Sequence, residues 1–170
     1  VAKLEVRNPA RLGCVTQTTL SVDDTREIKQ ALAARFPEIV LPKRDDICYA
    51  TQNRQDAVKQ LAGEADLVLV VGAPASSNSN RLVEVAQSRG CHAHLINDSG
   101  QLQVKMFTDI KRLGITAGAS APEHLVQDVV RWLEKNFSIE FCDLDVIEED
   151  VQFTLPKELA AMRKELTPAN

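Results

Sequence analysis

Apolar positions along the chain fall into three blocks of the same kind: a short apolar run, a turn of small polar residues, then helical periodicity. The clearest is residues 66–81, DLVLVVGAPASSNSNR. Residues 67–72 have almost no polar interruption, are rich in Val and end at Gly, which predicts a strand buried on both faces. The chain then turns through residues 73–79, and Leu82, Val83, Val85 and Ala86 recur at helical spacing to about Gly90. In an earlier block, β-prone residues 12–17 lead through Thr18 and Thr19 to a helix. Ile28, Ala31, Leu32 and Phe36 carry that helix to Pro37. Ser21 followed by Asp24 has the form of a capping box, and Asp23 and Asp24 suit the positive end of the helix dipole. The last block is a strand over residues 112–117, a turn Gly118-Ala119-Ser120-Ala121-Pro122, and a helix to Asn136. Pro122 is placed at its first position.

The intervening segments are weaker. Residues 1–7 are β-prone and are broken by Asn8-Pro9. Residues 38–41 form a short strand candidate. A helix is expected over residues 53–62, stopped by Gly63. Residues 91–97 read as a strand, residues 101–111 as an irregular or helical crossover, and residues 137–142 as a last strand. Residues 143–150 are strongly acidic and read as a solvated face, followed by a short Pro156-led helix.

Composition narrows the class. A length of 170 residues fits one domain, or one plus part of another. Apolar residues make up 44% and aromatics only 4%, so a core would be aliphatic. A net charge of −4 argues against a nucleic-acid or membrane-surface role. No apolar run is long enough to span a membrane and no signal peptide is visible, so a cytoplasmic enzyme or binding module is expected. Cys14, Cys48, Cys91 and Cys142 contain no CxxC and read as reduced thiols. The first residue is Val1 rather than Met, and a piece of something longer is expected.

The candidate chemistry lies on the turns. Thr18/Thr19, Ser76/Ser77/Asn78 and Ser120 each follow a strand, so in a parallel sheet they would share one edge. Free N–H groups at a helix start, with short hydroxyl and amide side chains, make a site for an anion such as phosphate. A helix cap needs one such residue, and residues 76–80 offer five. Neither GxGxxG nor GxxxxGK[ST] occurs. Cys48 falls just ahead of a helix, a position suited to a reactive or metal-ligating thiol; a buried inert Cys is the ordinary alternative. His92 and His94 alternate on one strand with no third ligand nearby, which favours exposed or edge histidines. A thiol enzyme built on Cys48 lacks an obvious base, since no motif places His92, His94 or His124.

Four segments carry a resemblance: TQTTLSVDDT (residues 16–25), DDICYATQNRQ (residues 45–55), SSNSNRL (residues 76–82) and GITAGASAPE (residues 114–123). Together they resemble the LytB family, the 4-hydroxy-3-methylbut-2-enyl diphosphate reductases of the non-mevalonate isoprenoid pathway. The PKEL of the tail resembles that family's C-terminus. The resemblance implies an iron–sulfur enzyme with a [4Fe-4S] cluster. It would reductively remove an allylic hydroxyl, yielding isopentenyl and dimethylallyl diphosphates, with electrons from a donor such as flavodoxin or ferredoxin. Cys48 matches one of three cluster-ligating cysteines. Thr18 and Thr19 match the threonine pair at the substrate, Thr18 near the reacting hydroxyl. Ser76, Ser77, Asn78 and Ser120 match residues that hold the diphosphate.

The family's other two ligating cysteines, its histidines and its proton-donating glutamate have no counterpart here, and the missing N-terminal portion would be a partner. The implied fold is α/β: parallel-sheet units with flanking helices, one complete unit plus part of a preceding one of a three-unit enzyme. Residues 1–37 would belong to the middle unit, residues 38–137 to the complete C-terminal unit, and residues 138–170 to a returning strand and tail. The chain alone is expected to be inactive. The alternative is a non-catalytic α/β module that binds a diphosphate or nucleotide.

Overall fold

The structure is a computed structural model and describes residues 1–42, 46–142 and 144. Its regular elements are helices α1 (Val22–Arg35) and α2 (Tyr49–Glu64), strand β1 (Leu67–Val71), helix α3 (Ser77–Ser88), strands β2 (His92–Ile96) and β3 (Leu113–Ala117), and helix α4 (Glu123–Asn136). All five residues of β1 are buried, which is why its apolar run is continuous. It is the middle strand of a parallel sheet ordered β2-β1-β3. Leu67 to Val71 register with His92 to Ile96 on one side and with Leu113 to Ala117 on the other.

The two faces of β1 anchor two aliphatic cores. Val68 and Val70 pack with Val58 and Ala62 of α2 and with Leu82, Val85 and Ala86 of α3. Leu67, Leu69 and Val71 pack with Ile96, Leu102, and Val129 and Leu133 of α4. Full burial of such a side chain is worth about 1.5–3 kcal/mol, so β1 is the mechanical centre of the unit. Gly114 lets α2 close onto the sheet, because a Cβ there would lie 2.5 Å from Leu61 Cγ. On the second face three aromatics gather: Phe107 lies 5.8 Å from Trp132 and 5.3 Å from Phe137 between ring centroids.

The parallel α/β architecture expected from the sequence is present, but several elements differ. Residues 12–17 and 38–41, expected as strands, make only the isolated parallel bridge between Gly13 and Val40. Residues 1–7 form no strand. Val15 and Val40 are 89% and 71% exposed, and a strand pair with nothing packed on its face is marginal. Helix α2 starts at Tyr49, not residue 53, because the Cys48 carbonyl already accepts from Thr51 and Gln52 N–H at 2.9 and 3.0 Å. It also runs through Gly63 to Glu64. Pro122 is the N-cap of α4 rather than its first residue.

The crossover contains the short 3-10 turns Ser99–Gln101 and Val104–Phe107. Residues 137–142 are not a strand. Phe137 ends α4, with its N–H donating to Leu133 O at 2.8 Å and its ring held by the aromatic cluster. Leu144 apart, the acidic run 143–150 and the Pro156-led helix lie outside the described residues. His92 and His94 sit exposed on the edge strand β2, as their alternation indicated.

Candidate functional site

The chain leaves β1 for β2 on one side and then crosses to β3 on the other. The C-terminal ends of β1 and β3 are therefore the topological switch point, where open parallel sheets hold their ligands. Val71 is in register with Ala117, and Gly118 N–H donates to Val71 O at 2.9 Å, so the two loops that follow start side by side. After β1, Ser76 caps α3 by accepting from Ser79 N–H at 3.3 Å. Asn80 braces the loop by donating from Nδ2 to Pro74 O and Ser76 O at 2.8 and 2.9 Å. Ser77 is exposed at the first turn of α3, and Ser120 is exposed on the loop after β3.

Asn78 differs from both. It is only 7% exposed, yet its Oδ1 and Nδ2 have no hydrogen-bond partner among the described residues. A Cβ on Gly118 would stand 3.8 Å from its Nδ2, which places the carboxamide between the two loops. An orphaned buried amide costs on the order of 1–3 kcal/mol for each unmet group. It sits at the positive end of a 12-residue helix.

A second constellation joins the Thr18 turn to the start of α2. Cys48 N–H donates to Thr18 O at 3.1 Å. Thr16 donates from N and from Oγ1 to Asp46 Oδ2 at 3.1 and 3.3 Å. The clasp itself is Gln55, fully buried on α2. Its Nε2 donates to Leu20 O at 2.8 Å and its Oε1 accepts from Val22 N–H at 3.0 Å. Thr18 and the Cys48 thiol are exposed and Thr19 is half-buried. Gln55 lies within a motif quoted from the sequence, but its polarity alone gives no reason to place it in the interior.

Ion pairs bind α1 across α2 and α3. Asp23 Oδ2 lies 2.9 Å from Lys59 Nζ and 3.8 Å from Arg89 Nη2, and Asp24 lies 3.6 Å from Arg81 Nη1. The hydrogen bond from Lys59 holds the Asp23 carboxyl below the usual carboxylate range, helped by the nearby Arg26 and Arg89 charges. At the opposite end of β1, Asp66 is lowered by backbone hydrogen bonds from Arg112 and Lys111. Burial pushes the Cys91 thiol up, with the Asp66 charge adding to it.

Residues 1–134 match the family model described as LytB protein. The chain belongs to the LytB family. Among the relatives of the LytB chain, a 4-hydroxy-3-methylbut-2-enyl diphosphate reductase from Pseudomonas putida is 58% identical over 159 residues. The match covers 94% of this chain and 50% of that protein. One from Saccharophagus degradans is 57% identical, over 94% of this chain and 51% of that protein. The LytB chain thus spans about half the length of the relatives it matches. Its backbone is similar to the solved E-1-hydroxy-2-methyl-but-2-enyl-4-diphosphate reductase from Plasmodium falciparum. The TM-score is 0.79 at 36% identity, covering 96% of this chain and 52% of that one.

The LytB resemblance implies an iron–sulfur cluster, and the thiols can be tested against it. Cys48 is exposed at the N-cap of α2. Cys91 is buried, with Sγ against Ala65 O at 3.2 Å and His92 O at 3.3 Å. No group of three or more His, Cys, Asp or Glu that could hold a metal comes together among the described residues. A cubane takes several thiolates. The described residues therefore bring no such set of ligands together. Among the described residues no helix is long and apolar enough to cross a membrane.

Proposed function

We propose that this chain is the diphosphate-holding portion of an iron–sulfur 4-hydroxy-3-methylbut-2-enyl diphosphate reductase. The observation that carries this reading is the buried, unpartnered carboxamide of Asn78 at the switch point. A carboxamide with both ends unmet can donate to a phosphate oxygen and accept from a second group on the ligand or its water. Ser76 and Ser77 from one loop and Ser120 from the other supply hydroxyl donors. The α3 dipole favours the negative charge.

Thr18 stands at the reacting end of the substrate, where its hydroxyl would hold or pass a proton to the departing allylic oxygen, with Thr19 beside it. The overall change consumes two electrons and two protons, releases water, and leaves the diphosphate intact. Electrons come from a protein donor of the flavodoxin or ferredoxin kind. Cys48 offers one cluster thiolate. The remaining ligands belong to the part of the relatives that this chain does not span. In this reading, residues 1–37 are part of a middle unit, residues 38–137 the complete unit and residues 138–170 a returning tail.

Calorimetric titration of the substrate diphosphate into the chain tests the reading. Asn78→Ala is expected to weaken binding at least tenfold, and equal affinity in the variant would refute the assignment. The second reading, a non-catalytic module binding a diphosphate or nucleotide, draws on the same unpartnered Asn78 carboxamide, which can hold either ligand without a cluster. Anaerobic reconstitution with iron and sulfide separates the two. Negligible iron on this chain, with a cluster once the rest of the protein is supplied, supports the reductase. Tight diphosphate binding with no iron in either state supports the module.

A further inference from the structure

Ser79 looks in the sequence like one more polar residue in a run of five, yet it is only 1% exposed. Its Oγ donates to Ser76 Oγ at 3.0 Å, and its N–H reaches the same oxygen at 3.3 Å. The side chain also lies in the gap between the two strand ends. A Cβ on Gly72, or on Gly118, would come within 2.2 Å of Ser79 Oγ. Both glycines therefore leave room for this one hydroxyl.

A hydroxyl has one proton and two lone pairs. A buried proton needs an acceptor, and Ser76 Oγ is the acceptor that Ser79 reaches. With the amide and the hydroxyl of Ser79 both donating to it, Ser76 Oγ has spent its two lone pairs. Its own proton is then free to point away from the helix, toward an anion at the switch point.

We propose that Ser79 is a positioning residue for the anion site. It turns Ser76 into a pure hydrogen-bond donor and acts on the anion through that hydroxyl alone. This rests on the diphosphate reading above.

The test is a titration of inorganic pyrophosphate into the 170-residue chain, comparing wild type with Ser79→Ala, Ser76→Ala and the double variant. Loss of one charge-assisted hydrogen bond is expected to weaken binding about tenfold in each single variant. The double variant should bind no worse than Ser76→Ala alone, because Ser79 acts through Ser76. A merely structural Ser79 would give additive losses, and additivity overturns the proposal. Wild-type affinity in Ser79→Ala overturns it as well, while leaving the diphosphate reading intact. Failure of the wild-type chain to bind pyrophosphate overturns both. Should Ser79→Ala not fold, Ser79→Cys keeps a side chain in the gap between the two strand ends but donates weakly. It should also bind weakly, and wild-type affinity there overturns the proposal.

Discussion

Residues 67–136 and residues 1–42 are held in place by different forces. The first region is organised on β1, whose five residues are sealed between two aliphatic cores. The second has one α-helix, one short 3-10 turn, one isolated bridge and apolar side chains such as Val15, Ile28 and Val40 left exposed. It is tied to the rest by polar clasps: Gln55 on the 20–22 backbone, Asp46 on Thr16, and Asp23 and Asp24 on Lys59, Arg89 and Arg81. Burial is non-directional and tolerates small shifts, whereas a clasp of hydrogen bonds fixes one geometry. The catalytic candidate Thr18 is carried by the clasped region, and its carbonyl accepts from the N–H of Cys48 at the start of α2. The diphosphate candidates are carried by the packed one.

Substitutions that act on one region and spare the other would break or sharpen that contrast. The largest effect is expected from Leu69→Ala, which empties a fully buried position of β1. It should cost about 2–5 kcal/mol in denaturant unfolding, and a loss under about 1 kcal/mol would mean that β1 is not the centre. Next is Gly114→Ala, where the new Cβ would meet Leu61 Cγ at 2.5 Å. Overpacking of this kind costs about 1–3 kcal/mol. Adding Leu61→Ala should recover part of it, and no recovery would argue against the close approach of α2 to β3.

Gln55→Leu should remove about 1–3 kcal/mol by orphaning Leu20 O and Val22 N–H. The loss should be local: in hydrogen exchange the Val22 amide speeds up while the Val70 amide does not. Equal acceleration of both would erase the distinction between the regions.

The smallest effect belongs to Asp23→Asn, about 0.5 kcal/mol for a solvent-exposed pair. Its pH dependence is diagnostic. Because Lys59 lowers the folded pKa of Asp23, its contribution is complete above the ordinary aspartate value of about 3.9 and is lost as pH falls through the folded value. The gap between wild type and Asp23→Asn should therefore close in acid. A gap that persists at low pH would assign the effect to packing.

The legibility of the sequence follows the same division. β1 and α3 were readable because an apolar run sealed on both faces and a capped amphipathic helix leave patterns within one segment. The loops proposed to hold a diphosphate could be located for a related reason: their small polar residues stand next to the strand that precedes them. Residues 12–17 and 38–41 carry the same local pattern as strands, yet form a single bridge. Their pairing depends on what packs beside them, which no periodicity records.

The sequence alone determined the three strands β1, β2 and β3, the small polar turns that follow β1 and β3, and the family to which these motifs belong. All of these are properties of neighbours along the chain. Only the tertiary structure decided that Gln55 turns inward to clasp a loop more than thirty residues away. It also decided that Asn78 is buried with both ends of its amide unmet among the described residues, and that Ser79 lies between two glycines that follow different strands. Those roles depend on which surfaces meet when β1 is sandwiched, and burial and hydrogen-bond satisfaction are set by that meeting, not by residue type.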